Sequence, residues 1–114
     1  MTNTADAQAG TIERLRAAWA LIEDPACWCT QQLYMQDADG TRWSWCATGA
    51  MSEVSRPRNA TDSYLYSGLY ALNDAARSMG YRDASHLNDV SSHDVVRTMY
   101  ERAIAAVAQR GESR

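Results

Sequence analysis

The chain has 114 residues with no lysine, no phenylalanine and only three cysteines. Each scarcity excludes something. All 11 basic residues are arginines, set against 14 acidic residues for a net charge of -3, and they form no run that could track a phosphate backbone. A nucleic-acid partner is therefore not expected. No stretch approaches the roughly 18 to 20 apolar residues that span a bilayer, and residues 1–10 lack the basic start and apolar run of a secretory signal. These features predict a cytoplasmic protein with no membrane partner. An odd cysteine count without an export signal reads as reduced thiols rather than a disulfide framework.

What is present is enough for one domain. With 46% apolar content, the chain can bury one core but not two. The expected organisation is a disordered tail over residues 1–10, a single α+β domain over 11–110 and a frayed end over 111–114. Thr11 is placed to cap a helix whose Ile12, Leu15, Trp19 and Ile22 recur at helical spacing. Glu23-Asp24-Pro25 then stops it, because the residue before a proline is pushed out of the helical region.

Between Cys27 and Trp45 the period changes to two. Asp37-Ala38-Asp39-Gly40, flanked by alternating residues, predicts a β-hairpin. A three-residue loop, Ala38 to Gly40, would pair Met35 with Trp43 and Leu33 with Trp45. That register gives a buried apolar face and an outer face of Tyr34, Gln36, Arg42 and Ser44. Trp43-Ser44-Trp45-Cys46 then runs into Ala47-Thr48-Gly49-Ala50, where a short helix over 46–54 is expected and Gly49 permits close approach. A polar loop over 55–60 carries Arg56 and Arg58, a candidate anion contact whose ordinary reading is a solvated loop.

Thr61 or Asp62 caps the next helix, with Leu65, Leu69, Leu72, Ala76 and Met79 on one stripe and Gly80 as terminator. Tyr64, Tyr66 and Tyr70 fall at its edges. Residues 81–90 read as a connection, and Ser91 with Asp94 as a capping start for a final helix through Val96, Met99, Ala103 and Val107. The predicted architecture is α+β: one β-hairpin packed against a small bundle of about four helices.

The motif Trp45-Cys46-Ala47-Thr48-Gly49-Ala50, followed by Leu87-Asn88-Asp89 and Glu101-Arg102-Ala103-Ile104-Ala105, resembles DUF6197, a family of small bacterial and phage proteins of unknown function. The likeness extends over residues 12–107. It implies the fold and leaves activity open. Trp45, Cys46, Gly49, Ala50, Asn88 and Asp89 are the matching positions, whereas Cys27, Cys29, His86 and His93 depart from the motif.

Three kinds of chemistry remain to be weighed. Cys46 at a helix N-terminus could be a nucleophile with His86 as base and Asn88 or Asp89 as orienter; buried packing is the ordinary role of such a cysteine. Cys27, Cys29, Cys46, His86 and His93 include the donors of a zinc site, but the C-x-C spacing of Cys27 and Cys29 is too tight and no second pair follows. Neither a metal nor a cofactor is expected. Asn88-Asp89 could bind a ligand, or close a turn and cap the next helix.

The reading is a small non-enzymatic binding or regulatory protein, of the kind found as phage or mobile-element accessory factors. Its expected contacts are Tyr34, Arg56, Arg58, Asn88 and Asp89, with a protein or small ligand as partner. A homodimer would follow from any uncovered apolar stripe. The alternatives are a cysteine-dependent hydrolase or transferase using Cys46, His86 and Asp89, and a small-ligand-sequestering protein.

Overall fold

Spacing of three and four residues among Leu15, Ala18 and Ile22 puts all three on one helical face, and all three are fully buried. The computed structural model describes residues 4–56 and 63–112. Its first helix, α1 (Thr4–Ile22), carries that stripe. A single 3-10 turn at Pro25–Cys27 follows, with the Asp24 side chain accepting from Ala26 N–H. Then come β1 (Tyr34–Gln36), β2 (Trp43–Trp45), α2 (Ala47–Val54), α3 (Ser63–Ser78), α4 (Ala84–Val90) and α5 (His93–Glu112). The fold is α+β, a hairpin on a mainly helical body.

The core lies where α1 packs against α2, α3 and α5. Leu72 and Ala76 of α3, Met51 of α2, Leu87 of α4, and Val96, Met99 and Tyr100 of α5 close it. Gly80 ends α3 with φ of 96°, the left-handed conformation that glycine adopts without strain. Among the described residues, no helix is long and apolar enough to cross a membrane.

Several expectations are corrected. Residues 4–10 are helical rather than a tail, since α1 begins seven residues before Thr11. Gln8 Nε2 donates to the Val107 carbonyl at 2.7 Å, so the long final helix gives this turn a surface to bind. Thr11 is inside the helix, its hydroxyl donating to the Ala7 carbonyl at 3.0 Å. Residues 84–90 form α4 instead of a connection, capped by Asp83, whose side chain accepts from His86 N–H. The cap of α5 is Ser92, which accepts from Val95 N–H, while the Ser91 hydroxyl turns back to the Leu87 carbonyl. The expected cap at Thr61 or Asp62 lies outside the described residues.

The hairpin register differs by one residue. Tyr34 pairs with Trp45, Met35 with Ser44 and Gln36 with Trp43. Its cause is the turn: Asp37 Oδ1 accepts from both Thr41 N–H and Arg42 N–H, and Asp39 Oδ1 accepts from the Thr41 hydroxyl at 2.7 Å. Those bonds draw Thr41 into a four-residue loop, with Gly40 at φ of 74°. A one-residue slip moves side chains to the other face. Tyr34 and Gln36 therefore share a face with Trp43 and Trp45, and Leu33 and Met35 do not.

Candidate functional site

The slipped register assembles a cleft from residues that the expected one would have separated. Tyr34, Trp43 and Trp45 line it from the hairpin, and Glu53 and Arg56 line it from the end of α2 and the turn beyond. Its volume is about 260 Å³. The Tyr34 and Trp43 rings stand 5.6 Å apart between centroids with planes inclined at 48°. Both are exposed, Tyr34 at 58% and Trp43 at 43%, whereas Trp45 is half-buried against the core. The Glu53 carboxylate and the Arg56 guanidinium meet at 3.3 Å on the solvent side. Such an exposed pair adds little stability; its consequence is a charge-balanced polar wall facing aromatic rings.

Local structure holds this geometry. Cys46 N–H donates to the Leu33 carbonyl at 3.0 Å, joining the base of the hairpin to the start of α2. Gly49 makes that junction feasible, for a Cβ on it would lie 2.0 Å from the Leu33 carbonyl oxygen. On the inner edge of β2, Trp28 forms a parallel bridge with Trp45, and Cys29 N–H donates to the Trp45 carbonyl at 3.0 Å.

Asn88 underpins both contacts. It is only 1% exposed, and its Oδ1 accepts from Trp28 Nε1–H at 2.7 Å and from Ala47 N–H at 2.9 Å. Its Nδ2 donates to the Cys29 carbonyl at 3.0 Å. Asp89 continues the clamp, accepting from Gln31 N–H at 2.8 Å and so holding Gln31 at φ of 69°. The pair neither closes its own turn nor caps the helix that follows. Asn88 caps α2 from across the fold, and Asp89 pins the loop before β1.

The cysteine arrangement does not assemble as a triad. Cys46 is 6% exposed and serves as the N-cap of α2, its sulfur accepting from Gly49 N–H at 3.3 Å. A second cavity of about 200 Å³ is lined by Gln31, Gln32, Leu33, Cys46, Ser85 and Asp89. His86 is not among them. Its Nδ1 accepts from Arg82 N–H at 3.1 Å and its ring lies edge-on to Tyr81. No hydrogen bond among the described residues joins His86 to Cys46 or Asp89.

His93 is half-buried. It bonds the Ile22 carbonyl at the end of α1 through Nε2 at 2.6 Å, between the rings of Trp19 and Trp28. Burial raises the pKa of the Cys29 thiol, against a lowering by its hydrogen bond with Ser44. No group of three His, Cys, Asp or Glu among the described residues is placed to hold a metal ion.

Of the residues named from sequence, Tyr34 and Arg56 come together in the aromatic cleft, Cys46 and Asp89 meet at the second cavity, and Arg58 lies outside the described residues. Trp43, Trp45 and Glu53 also line the cleft, which the sequence alone does not indicate. For the two tryptophans the available signal was the acidic pair Asp37 and Asp39 of the turn, both of which accept from the Thr41 amide. Comparison with family models, curated proteins and solved structures finds no match to this chain. Its chemistry therefore rests on its own residues.

Proposed function

We propose that the chain is a small non-enzymatic binding protein that receives its ligand in the cleft between the hairpin and α2. The observation that carries this reading is the exposure of Tyr34 and Trp43 around a concave space rather than on a flat surface. Aromatic side chains bring large contact area at low entropy cost, and a concave site with few polar groups is the usual form of a ligand site. That His86 bonds Arg82 N–H while the Cys46 sulfur bonds Gly49 N–H weighs against the cysteine-dependent hydrolase or transferase. The cleft opens to solvent, so it suits reversible capture better than sequestration.

A fragment screen read by ¹H–¹⁵N correlation spectra tests this. Shifts should gather on the indole N–H groups of Trp43 and Trp45 and on the amides of Tyr34, Glu53 and Arg56. Shifts confined to Gln31, Ser85 and Asp89 would move the site to the second cavity and refute the proposal.

A further inference from the structure

We infer that the ligand of this cleft is a neutral pyranose, a single or terminal sugar ring; this rests on the reading of the cleft as the binding site. Three physical arguments converge on it.

The first is charge. Glu53 and Arg56 neutralise one another at 3.3 Å, so the polar wall carries no net charge. A quaternary ammonium would gain from the aromatic rings but meet the Arg56 cation. A phosphate or carboxylate would gain from Arg56 but meet Glu53, on a chain whose net charge is already -3. A neutral polyol uses both partners, its hydroxyls donating to the carboxylate and accepting from the guanidinium.

The second is shape. A flat heterocycle is best held between parallel rings, and the Tyr34 and Trp43 planes diverge by 48°. A chair-shaped pyranose presents C–H groups in more than one direction, so it can rest one apolar face on an indole and lean an edge on the phenol. Weak C–H contacts of this kind and apolar burial together favour aromatic walls.

The third is size. The volume of about 260 Å³ falls just below the roughly 300–1,000 Å³ of sites for drug-sized ligands. One six-membered ring with its hydroxyls fits that space, and an open mouth lets a longer glycan run out into water.

The test titrates the full chain with methyl glycosides of β-glucose, β-galactose and N-acetyl-β-glucosamine, alongside tetramethylammonium chloride and adenosine. With so few polar contacts the expected affinity is about millimolar. At least one glycoside should receive saturation transfer at its ring C–H protons and shift the indole N–H resonances of Trp43 and Trp45. Trp43→Ala should weaken binding about tenfold while Trp43→Phe retains most of it, as stacking requires. Glu53→Gln, at the surface and away from the core, should weaken it severalfold without changing the fold. If adenosine or tetramethylammonium shifts the indoles and the glycosides do not, the pyranose assignment is overturned and the cleft stands as the binding site. If neither these probes nor the fragment set perturbs the indoles, both fall.

Discussion

Removing the Asn88 side chain should cost this protein more than any other single polar deletion. Asn88→Ala strands three groups at once: the buried Ala47 N–H, the Cys29 carbonyl and the half-buried Trp28 indole N–H. A buried polar group left unpaired costs about 1–3 kcal/mol, and water reaching the indole and relaxation of the loop lower the sum. A loss of about 3–5 kcal/mol is expected, a large part of the 5–15 kcal/mol typical of a domain. At about 4 °C per kcal/mol for a chain of this size, the Tm should fall by about 12–20 °C. Urea unfolding followed by far-UV circular dichroism measures the free energy, and the Trp28 indole resonance reports the broken bond directly. Asn88→Asp sharpens the test. It keeps the acceptor for Trp28 and Ala47 but sets a buried carboxylate against the Cys29 carbonyl and Asp89. Burial would raise that carboxyl's folded pKa above its unfolded value of about 3.9, so the native state binds the extra proton and stability should rise as pH falls. A loss below about 1 kcal/mol in Asn88→Ala, or a pH-independent penalty in Asn88→Asp relative to the parent, would refute the hub.

Three further outcomes are expected. Gly49→Ala should destabilise the protein despite better helix propensity, because overpacking against the Leu33 backbone costs about 1–3 kcal/mol and the helix gain is at most about 1 kcal/mol; a rise in Tm would contradict the close approach. Tyr100, buried with its hydroxyl donating to the Ala47 carbonyl at 2.6 Å, has its pKa raised by burial and secondarily by Cys46. Its unfolded form ionises above about pH 10 while the native form holds its proton, so stability should fall by up to about 1.4 kcal/mol per pH unit there. Tyr100→Phe should lose about 1 kcal/mol below that pH and abolish this component of the alkaline slope; an unchanged slope would show that Tyr100 ionises in the native state. Iodoacetamide near neutral pH should label half-buried Cys27 first and leave Cys29 and Cys46 protected, read by mass spectrometry of the peptides. Faster labelling of Cys46 than of Cys27 would restore the nucleophile reading.

Much of the helical body was legible because it depends on local periodicity. Leu15 and Ile22, Leu72 and Ala76, and Val96, Met99 and Val107 are buried where their spacing placed them. Gly80 ends α3, and Gly49 admits the Leu33 backbone as its small size implied. The site is legible only in part: Tyr34 and Arg56 stand out in the sequence and Trp45 packs partly against the core as expected, while Trp43, expected on the buried face, is exposed. That error followed from the register, which the Asp37, Asp39 and Thr41 hydrogen bonds decide by a balance of small local terms. The short helix α4 was hidden because seven residues make a marginal helix alone, and burial of Ala84 and Leu87 stabilises it.

The sequence by itself determined the helix stripes, the existence of a hairpin and the change of backbone at Cys46, since each is written in residues a few positions apart. Tertiary structure decided what those pieces meet. Asn88 bonds Trp28 from 60 positions away and Ala47 from 41 positions away, and no local pattern encodes such a partnership. The cleft likewise exists because a one-residue slip in a turn brings Tyr34 beside Trp43 while α2 and the turn after it supply Glu53 and Arg56. A register has only two outcomes for each face, so a single hydrogen-bonded loop residue was enough to turn an expected buried wall into the lining of a solvent-open cleft.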